Sequence, residues 1–515
     1  MQCFHLRGPL GHFRRGTFSS FTLLLLAGCD GDTSIVQPSG PIDAGVPDLL
    51  RPDAGAPPPA GQRPDASADA GTPITGAPTP DTSPSTLDVD VFGQIGNRYW
   101  LEASAEQVDR MNARYLFAAY PDPYEPIAGG DVTFVDHLFV TAASEAPHSA
   151  DFGKVQVSLV GESTGRAWTR RSLPNFKLDA DEFTPGQRIG GVKHLRFNNG
   201  VMGGMFREKL IYDTFNRLGY PAPRVNHAWV SGSVWGPGVA VPYIVVESYK
   251  PQFCKLHENA LAGGCVNMWE LASDINGGAI TKDDSCQFSS CDNTRVVEFA
   301  AAVASATYGN GYEAQLEAWI DWPALHRFQC LAWIFELQDD LFHSINNVVL
   351  VERADGKFQY LPYSVDVSLD TQRFGQVDLG GVNTVSNGCQ TDAQCWADTV
   401  STCETVLAEV IALDLPSELQ SLHAELDAGG MLRESDEESF NALDEHLQTR
   451  LTLLPAELER NRHAPIMSWC YDPLSFCGPY CTLPEACNLC EPPVVTDAGV
   501  ELPPPVDCLP LPSGG

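Results

Sequence analysis

The chain has 515 residues and a formal net charge of −34, with 66 acidic residues set against 32 Lys and Arg. A balance this acidic excludes a general nucleic-acid-binding role, because the protein's field repels a phosphate backbone. It otherwise speaks for solubility and singles out no substrate, while the length allows two or three domains.

At the N-terminus Arg7, Arg14 and Arg15 precede an apolar run from Phe21 to Leu26, followed by Leu26-Ala27-Gly28-Cys29, a pattern that reads as an export signal over residues 1–28. Its end resembles a bacterial lipoprotein lipobox, which implies cleavage before Cys29, lipidation of that thiol and tethering to a membrane surface. The apolar run is too short to span a bilayer. Sixteen cysteines in an exported chain argue for disulfides, and without Cys3 and Cys29 their number stays even. Residues 29–88 are dominated by Pro, Ala, Gly, Asp, Ser and Thr, with Asp-Ala-Gly at 43, 53 and 69. Such a segment cannot bury a core and reads as a disordered tether.

Order is expected from about Val91, within a domain spanning 89–464. Val155 to Val160 is the first clear strand, and the Gly161-Glu-Ser-Thr-Gly165 that follows matches the hydrolase pattern G-x-S-x-G. No helix pattern follows Ser163 and no His-Gly-Gly motif appears, so a glycine-bearing turn approaching phosphates fits better, with a plain hairpin turn equally open. Phe176 to Leu178 is a short strand carrying Lys177. Phe206 to Leu218 is a helix, with Phe206, Leu210, Thr214 and Leu218 at four-residue spacing and Gly219 as its stop. Glu208 in its first turn suits the helix dipole, or orients a phosphate-binding lysine. Ala240 to Tyr249 is a buried strand in which Glu247 stands near the end.

Cys254, Cys265, Cys286 and Cys291 fall in a Gly-rich insertion, 251–295. Their spacing lacks paired zinc knuckles, so pairing among themselves is expected, with connectivity open. Asp321 and Pro323 start a helix with an apolar stripe of Leu325, Phe328, Leu331, Ala332 and Phe335. Further helices are expected at 393–412, 416–427 and 436–451. The tail, 465–515, holds Cys470, Cys477, Cys481, Cys487, Cys490 and Cys508 among prolines and reads as a disulfide knot.

The stretch from Phe335 to Leu369 carries the chemistry. Asn347 to Arg353 reads as a strand, Asp355-Gly356 as a hairpin turn and Lys357 to Pro362 as the returning strand. Asp339 and Asp340 precede this hairpin and Asp366 follows it. Closing the hairpin should gather Asp340, Asn346, Asn347 and Asp366 into one small volume, an oxygen set that suits Mg²⁺ shared with phosphates. An acid, an amide, a hairpin and a second acid in that order is the layout of protein kinases.

Four segments together, VSLVGESTGR, FREKLIYDTFNRLGYPAPR, VPYIVVESY and NNVVLVERADGKFQYLPYSVDVSL, resemble the CotH kinase family of secreted atypical kinases. The resemblance spans 155–369 and implies an α+β, kinase-like, two-lobed fold with a strand-rich N-lobe and a helical C-lobe. It also implies ATP with Mg²⁺ or Mn²⁺, and Ser or Thr of exported proteins as acceptor. Carried over by position, Lys177 approaches the phosphates, Glu208 pairs with it and Glu247 sits near the hinge beside the base. Asp340 is the catalytic-loop acid, and Asn347 and Asp366 hold the metal. Two positions depart from the family: Asn347 lies seven residues after Asp340 where five is usual, and Ser364 replaces the first acid of Asp-x-Asp. These departures leave room for an alternative, an inactive kinase-like scaffold or binding lipoprotein of a surface or spore coat.

Overall fold

The computed structural model describes residues 89–119, 132–143, 149–160, 167–170, 172–201, 204–236, 238–271, 274–275, 280–283, 293–340, 342, 348–370, 379–381, 383–462, 494–496 and 499–501. The export signal, Cys29, the tether, the Gly161–Gly165 turn, Asn346, Asn347, Cys286, Cys291 and the six tail cysteines lie outside the described residues.

The N-terminal part is built on a sheet of nine strands. They are Asn97–Glu102 (β1), Phe134–Val135 (β2), His137–Thr141 (β3), Ala150–Asp151 (β4), Val155–Val160 (β5), Asn175–Asp179 (β6), His194–Asn198 (β7), Val225–Gly232 (β8) and Ala240–Glu247 (β9). Their spatial order is β2-β5-β6-β7-β9-β8-β1-β3-β4. Neighbours are antiparallel except β1 and β8, which run parallel with Tyr99 opposite Val230. Two helices belong to this part, Ala105–Ala119 (α1) and Arg207–Arg217 (α2).

The near-continuous apolar run of β9 follows from burial on both faces. Tyr243 and Val245 enter one core with Tyr99, Phe176 and Phe197, while Ile244 and Val246 enter a second core with Phe215, Trp269 and Phe335. The first core is roofed by the N-terminal elements; the second is shared with α2 and the C-terminal helices. Since α2 buries Leu210, Ile211, Tyr212, Thr214 and Phe215 together, it is an internal helix. Gly219, at φ +75°, ends it: its N–H and that of Tyr220 return to the carbonyls of Asn216 and Phe215.

A short helix, Pro251–Leu256 (α3), leads into a second sheet, ordered β11-β10-β12-β13, of Cys265–Leu271 (β10), Ile280–Asp283 (β11), Val348–Arg353 (β12) and Phe358–Leu361 (β13). The β12–β13 hairpin pairs Val349 with Leu361, and its turn places Gly356 at φ +81°, a conformation in which a side chain is strained. Cys254 and Cys265 are joined in a disulfide that closes the α3–β10 loop.

The C-terminal part is helical: Thr294–Ser305 (α4), Tyr312–Leu316 (α5), Trp322–Ile334 (α6), Thr384–Thr391 (α7), Ala393–Ala412 (α8), Leu415–Ala428 (α9) and Glu434–Asn461 (α10). The Asp321 carboxylate accepts the Ala324 N–H at 3.2 Å and caps α6, whose N1/N2 positions include proline. Disulfides Cys330–Cys403 and Cys389–Cys395 tie α6 to α8 and α7 to α8. The last helix runs ten residues beyond the expected 451, through Pro455, because Leu454 and Leu458 continue its buried stripe. A further small hairpin joins Val494–Thr496 (β14) to Gly499–Glu501 (β15).

Candidate functional site

The site forms where β6, β7 and β9 meet α2. Strand β7 reads HLRFN, with Leu195 and Phe197 fully buried and Arg196 between them on the opposite face. Register places Arg196 directly across from Lys177 of β6, so both cations share one face. Both line a cavity together with Glu208, Tyr212, Glu247 and Tyr363.

Glu208 is buried in the first turn of α2. Its Oε1 accepts a hydrogen bond from Asn198 Nδ2 at 2.6 Å, while Oε2 is buried without a hydrogen-bond partner. Burial first and the charge of Asp366 second push its carboxyl up to about 8, against the opposing pull of Arg196 and Asn198. The cation whose field reaches Glu208 is therefore Arg196. Its Nε donates to Asn198 Oδ1 at 2.9 Å, its Nη1 donates to Tyr363 Oη at 3.0 Å, and its guanidinium lies 5.4 Å from the Tyr363 ring centroid. Burial works against its charge, but Tyr363, Glu208 and Asp366 outweigh burial and hold its pKa above the ordinary arginine value.

The sequence reads Lys177 as the partner of Glu208; the structure places Arg196 across from Lys177 on the same cavity wall, and the charge of Arg196 reaches Glu208. The strand that carries Arg196, immediately upstream of the helix carrying Glu208, has only five residues, too few for its polar–apolar alternation to single it out. In protein kinases the phosphate-binding cation occupies the third strand, just before the helix whose glutamate pairs with it. Strands β5, β6 and β7 followed by α2 reproduce that order.

Glu247 also lines the cavity, but its carboxylate is committed to Arg224, whose Nη2 donates to Oε1 at 2.8 Å and whose Nε donates to Oε2 at 3.1 Å. Asp366 lies in a single 3-10 turn, Val365–Val367, packed on α2. Ser364, at φ +56°, donates its hydroxyl to Asp366 Oδ1 at 3.1 Å. Asp340 is buried beyond α6, and its Oδ1 accepts the Phe342 N–H at 2.9 Å. The approaches to the two acids are tied together, since Leu369 N–H donates to the Phe335 carbonyl at 3.1 Å. Beside that tie Glu336, at φ +48°, is gripped by His446 Nε2 at 2.6 Å and Arg450 Nε at 3.4 Å from α10.

Lys177, Arg196, Glu208 and Glu247 thus line one cavity, and Asp366, which is not one of its walls, reaches Glu208 and Arg196 through its charge. Asp340 is not among that cavity's walls.

A strand-rich sheet carrying a cation, a buried glutamate helix against it, an acid after a following hairpin and a helical C-terminal region together make a mixed α+β chain of kinase-like build. Residues 158–402 match the family described as CotH kinase protein. No curated protein matches the chain. Among solved structures, a chain of the Shewanella oneidensis MR-1 toxin–antitoxin system HipA, HipB and operator DNA complex is similar at 9% identity, over 69% of this chain and 73% of that one, with a TM-score of 0.28. At that score the likeness carries no argument. The family match and the three disulfides among the described residues fit an exported or extracellular protein. Among the described residues no helix is long and apolar enough to cross a membrane.

Proposed function

We propose that the chain is an exported, lipid-anchored phosphotransferase that moves the γ-phosphoryl group of ATP to Ser or Thr hydroxyls of exported proteins. The observation that carries this reading is the cavity lined by Arg196, Lys177 and Glu208 beneath β7, with the charge of Asp366 reaching Glu208, inside the family-matched segment. Phosphoryl transfer asks a protein for positioning and charge compensation rather than for a nucleophile of its own. Arg196 and Lys177 face the phosphates, Glu208 orients Arg196, and the backbone beside Glu247 meets the base at the end of β9. Asp340 holds the acceptor hydroxyl and takes its proton as the bond to phosphorus forms.

The residues also fit a divalent cation. Glu208 Oε2 is a buried, unpartnered oxygen, and the field of Asp366 already disfavours its charge. Asp366, with Asn347, would hold Mg²⁺ or Mn²⁺, which supplies neutralisation of phosphate charge. In this reading Cys29 carries the lipid, residues 29–88 form the tether, 89–464 is the kinase-like domain with its cysteine-rich insertion, and 465–515 is a cysteine-rich tail. Partners are the membrane surface and an exported acceptor protein, with no nucleic acid.

One observation favours a second reading, a surface scaffold that no longer catalyses. Ser364 replaces an expected acid, and its hydroxyl occupies Asp366 Oδ1. The signal-free protein, incubated with labelled ATP and Mg²⁺ or Mn²⁺, distinguishes the two. Transfer to itself or to exported proteins supports the enzyme. Absence of any nucleotide-dependent thermal stabilisation at 100 times an ordinary dissociation constant, where about 2.7 kcal/mol is expected, abandons it.

A further inference from the structure

A second concavity, an open groove, lies between the β6–β7 connection and α3. Arg188, Lys193, Arg224 and Lys255 line it, and Asp181 is its one lining acid. In a chain with 66 acidic residues and 32 Lys and Arg, four cations converging on one groove run against the composition of the rest.

The ion pairs within the groove do not cancel its outward charge, because in two of them the cation is more exposed than its acid. Lys193 pairs with Asp181, and their side chains are 30% and 15% exposed. Arg224 pairs with Glu247, and theirs are 36% and 2% exposed. The remaining two cations, Arg188 and Lys255, are exposed and have no carboxylate partner among the described residues. His194, which pairs with Asp179 at 3.1 Å, adds donor capacity at the groove floor. The rim is held in shape by Gln252, whose Oε1 accepts from Arg188 Nη1 and from the Lys193 N–H, both at 3.2 Å. Beside the charges, Leu256 presents an apolar side chain that is 49% exposed.

The protein's overall negative charge does not forbid an acidic ligand here. At physiological ionic strength the screening length is about 8 Å, so distant acids are largely screened and the groove's own cations dominate. An ammonium or guanidinium that keeps free N–H donors above a buried acid still binds a carboxylate through charge-assisted hydrogen bonds.

We infer that this groove docks a carboxylate-rich segment of an exported partner protein, with Arg188 and Lys255 as the discriminating charges and Leu256 as an apolar contact. The groove adjoins the candidate nucleotide cavity through the Arg224–Glu247 pair, since Arg224 lines one and Glu247 the other. Docking is independent of nucleotide, so its failure and the failure of the phosphotransferase reading are separately observable.

The test uses the full mature chain without nucleotide and a fluorescent Asp/Glu-rich peptide, with the matching Asn/Gln peptide as control. The acidic peptide should bind, the neutral one should not, and affinity should fall as salt rises. The double variant Arg188→Glu/Lys255→Glu should weaken binding at least about tenfold. Arg114→Glu/Arg170→Glu, an equal charge change at exposed positions elsewhere, should leave it near wild type. No binding of the acidic peptide, retained binding by the groove variant, or equal loss in both double variants would overturn the inference. Displacement of the peptide by inorganic phosphate at the same anion concentration would also overturn it, by showing a small-ion site instead of a docking groove.

Discussion

Replacing Arg196 by Met tests which cation serves the candidate site. The substitution removes hydrogen bonds to Asn198 and Tyr363 and the positive charge facing Glu208 and Asp366. Stripping one partner from a fully buried ion pair costs about 3–5 kcal/mol. Here the cost should be smaller, roughly 1–3 kcal/mol, because Glu208 is already pushed up to about 8 and can go neutral instead of remaining as a bare buried anion. Nucleotide binding should suffer more visibly. Losing one or two charge-assisted bonds to phosphate is worth about 1.5–3 kcal/mol, a weakening of about 10- to 100-fold. Lys177→Met, one strand away, should cost less in both respects, and Arg196→Lys should fall between, since it keeps charge but not the planar fork. Urea titration measures the stability change, and a fluorescent ATP analogue with Mg²⁺ measures affinity. Wild-type affinity in Arg196→Met alongside loss in Lys177→Met would refute the assignment.

Asp366→Asn should abolish metal-dependent nucleotide affinity while leaving the melting transition intact, whereas Asp340→Asn should spare affinity and lower transfer; calorimetric titration and single-turnover transfer separate the two. Two buried histidines should make the fold acid-sensitive. Burial lowers His227 and His326 to about 4, so the unfolded chain binds more protons, and stability is full above about 6.5 and declines as pH falls toward 4, by on the order of 3 kcal/mol for each. A urea midpoint that stays flat from pH 7 to 4.5 would contradict this. Among disulfides, Cys330–Cys403 spans 73 residues and Cys389–Cys395 spans 6, so alanine replacement of the first pair should cost about 4 kcal/mol and of the second about 2.5 kcal/mol on the loop-entropy account, as read by denaturant titration.

Local signals were legible where chain chemistry acts over a few residues. Asp355-Gly356 announced the β12–β13 turn because only a left-handed backbone closes it, and Gly356 adopts that conformation. Asp321 with Pro323 announced the start of α6, and Gly219 the end of α2, for equally local reasons. The ends of α10 were less legible, since Pro455 is tolerated only because tertiary burial of Leu454 and Leu458 outweighs its missing N–H. Strands β1 and β8 carry no signal of their parallel pairing: Asn97 and Ala228 meet across more than a hundred residues of sequence. Cysteine parity announced disulfides but not the joining of Cys330 to Cys403.

The site shows the same division. Glu208 and Asp366 stood out because an acid in a helix's first turn and an acid just beyond a hairpin are local patterns. That the field of one reaches the other is a tertiary fact, produced by packing the 3-10 turn on α2. Arg196 was hidden because its strand has five residues with two apolar positions, too short for periodicity to register. The stronger argument for it is topological. The chain leaves β7 at Asn198 and enters α2 at Arg207, and antiparallel pairing of β7 with both β6 and β9 fixes which way the strand's polar face turns. A cation at the middle of that strand then faces the helix that the chain forms next, where an acid in the first turn is near enough to pair with it. By that logic the strand immediately upstream of an acid-bearing buried helix is where the cation should be sought, in preference to the lysine in the more recognisable strand before it.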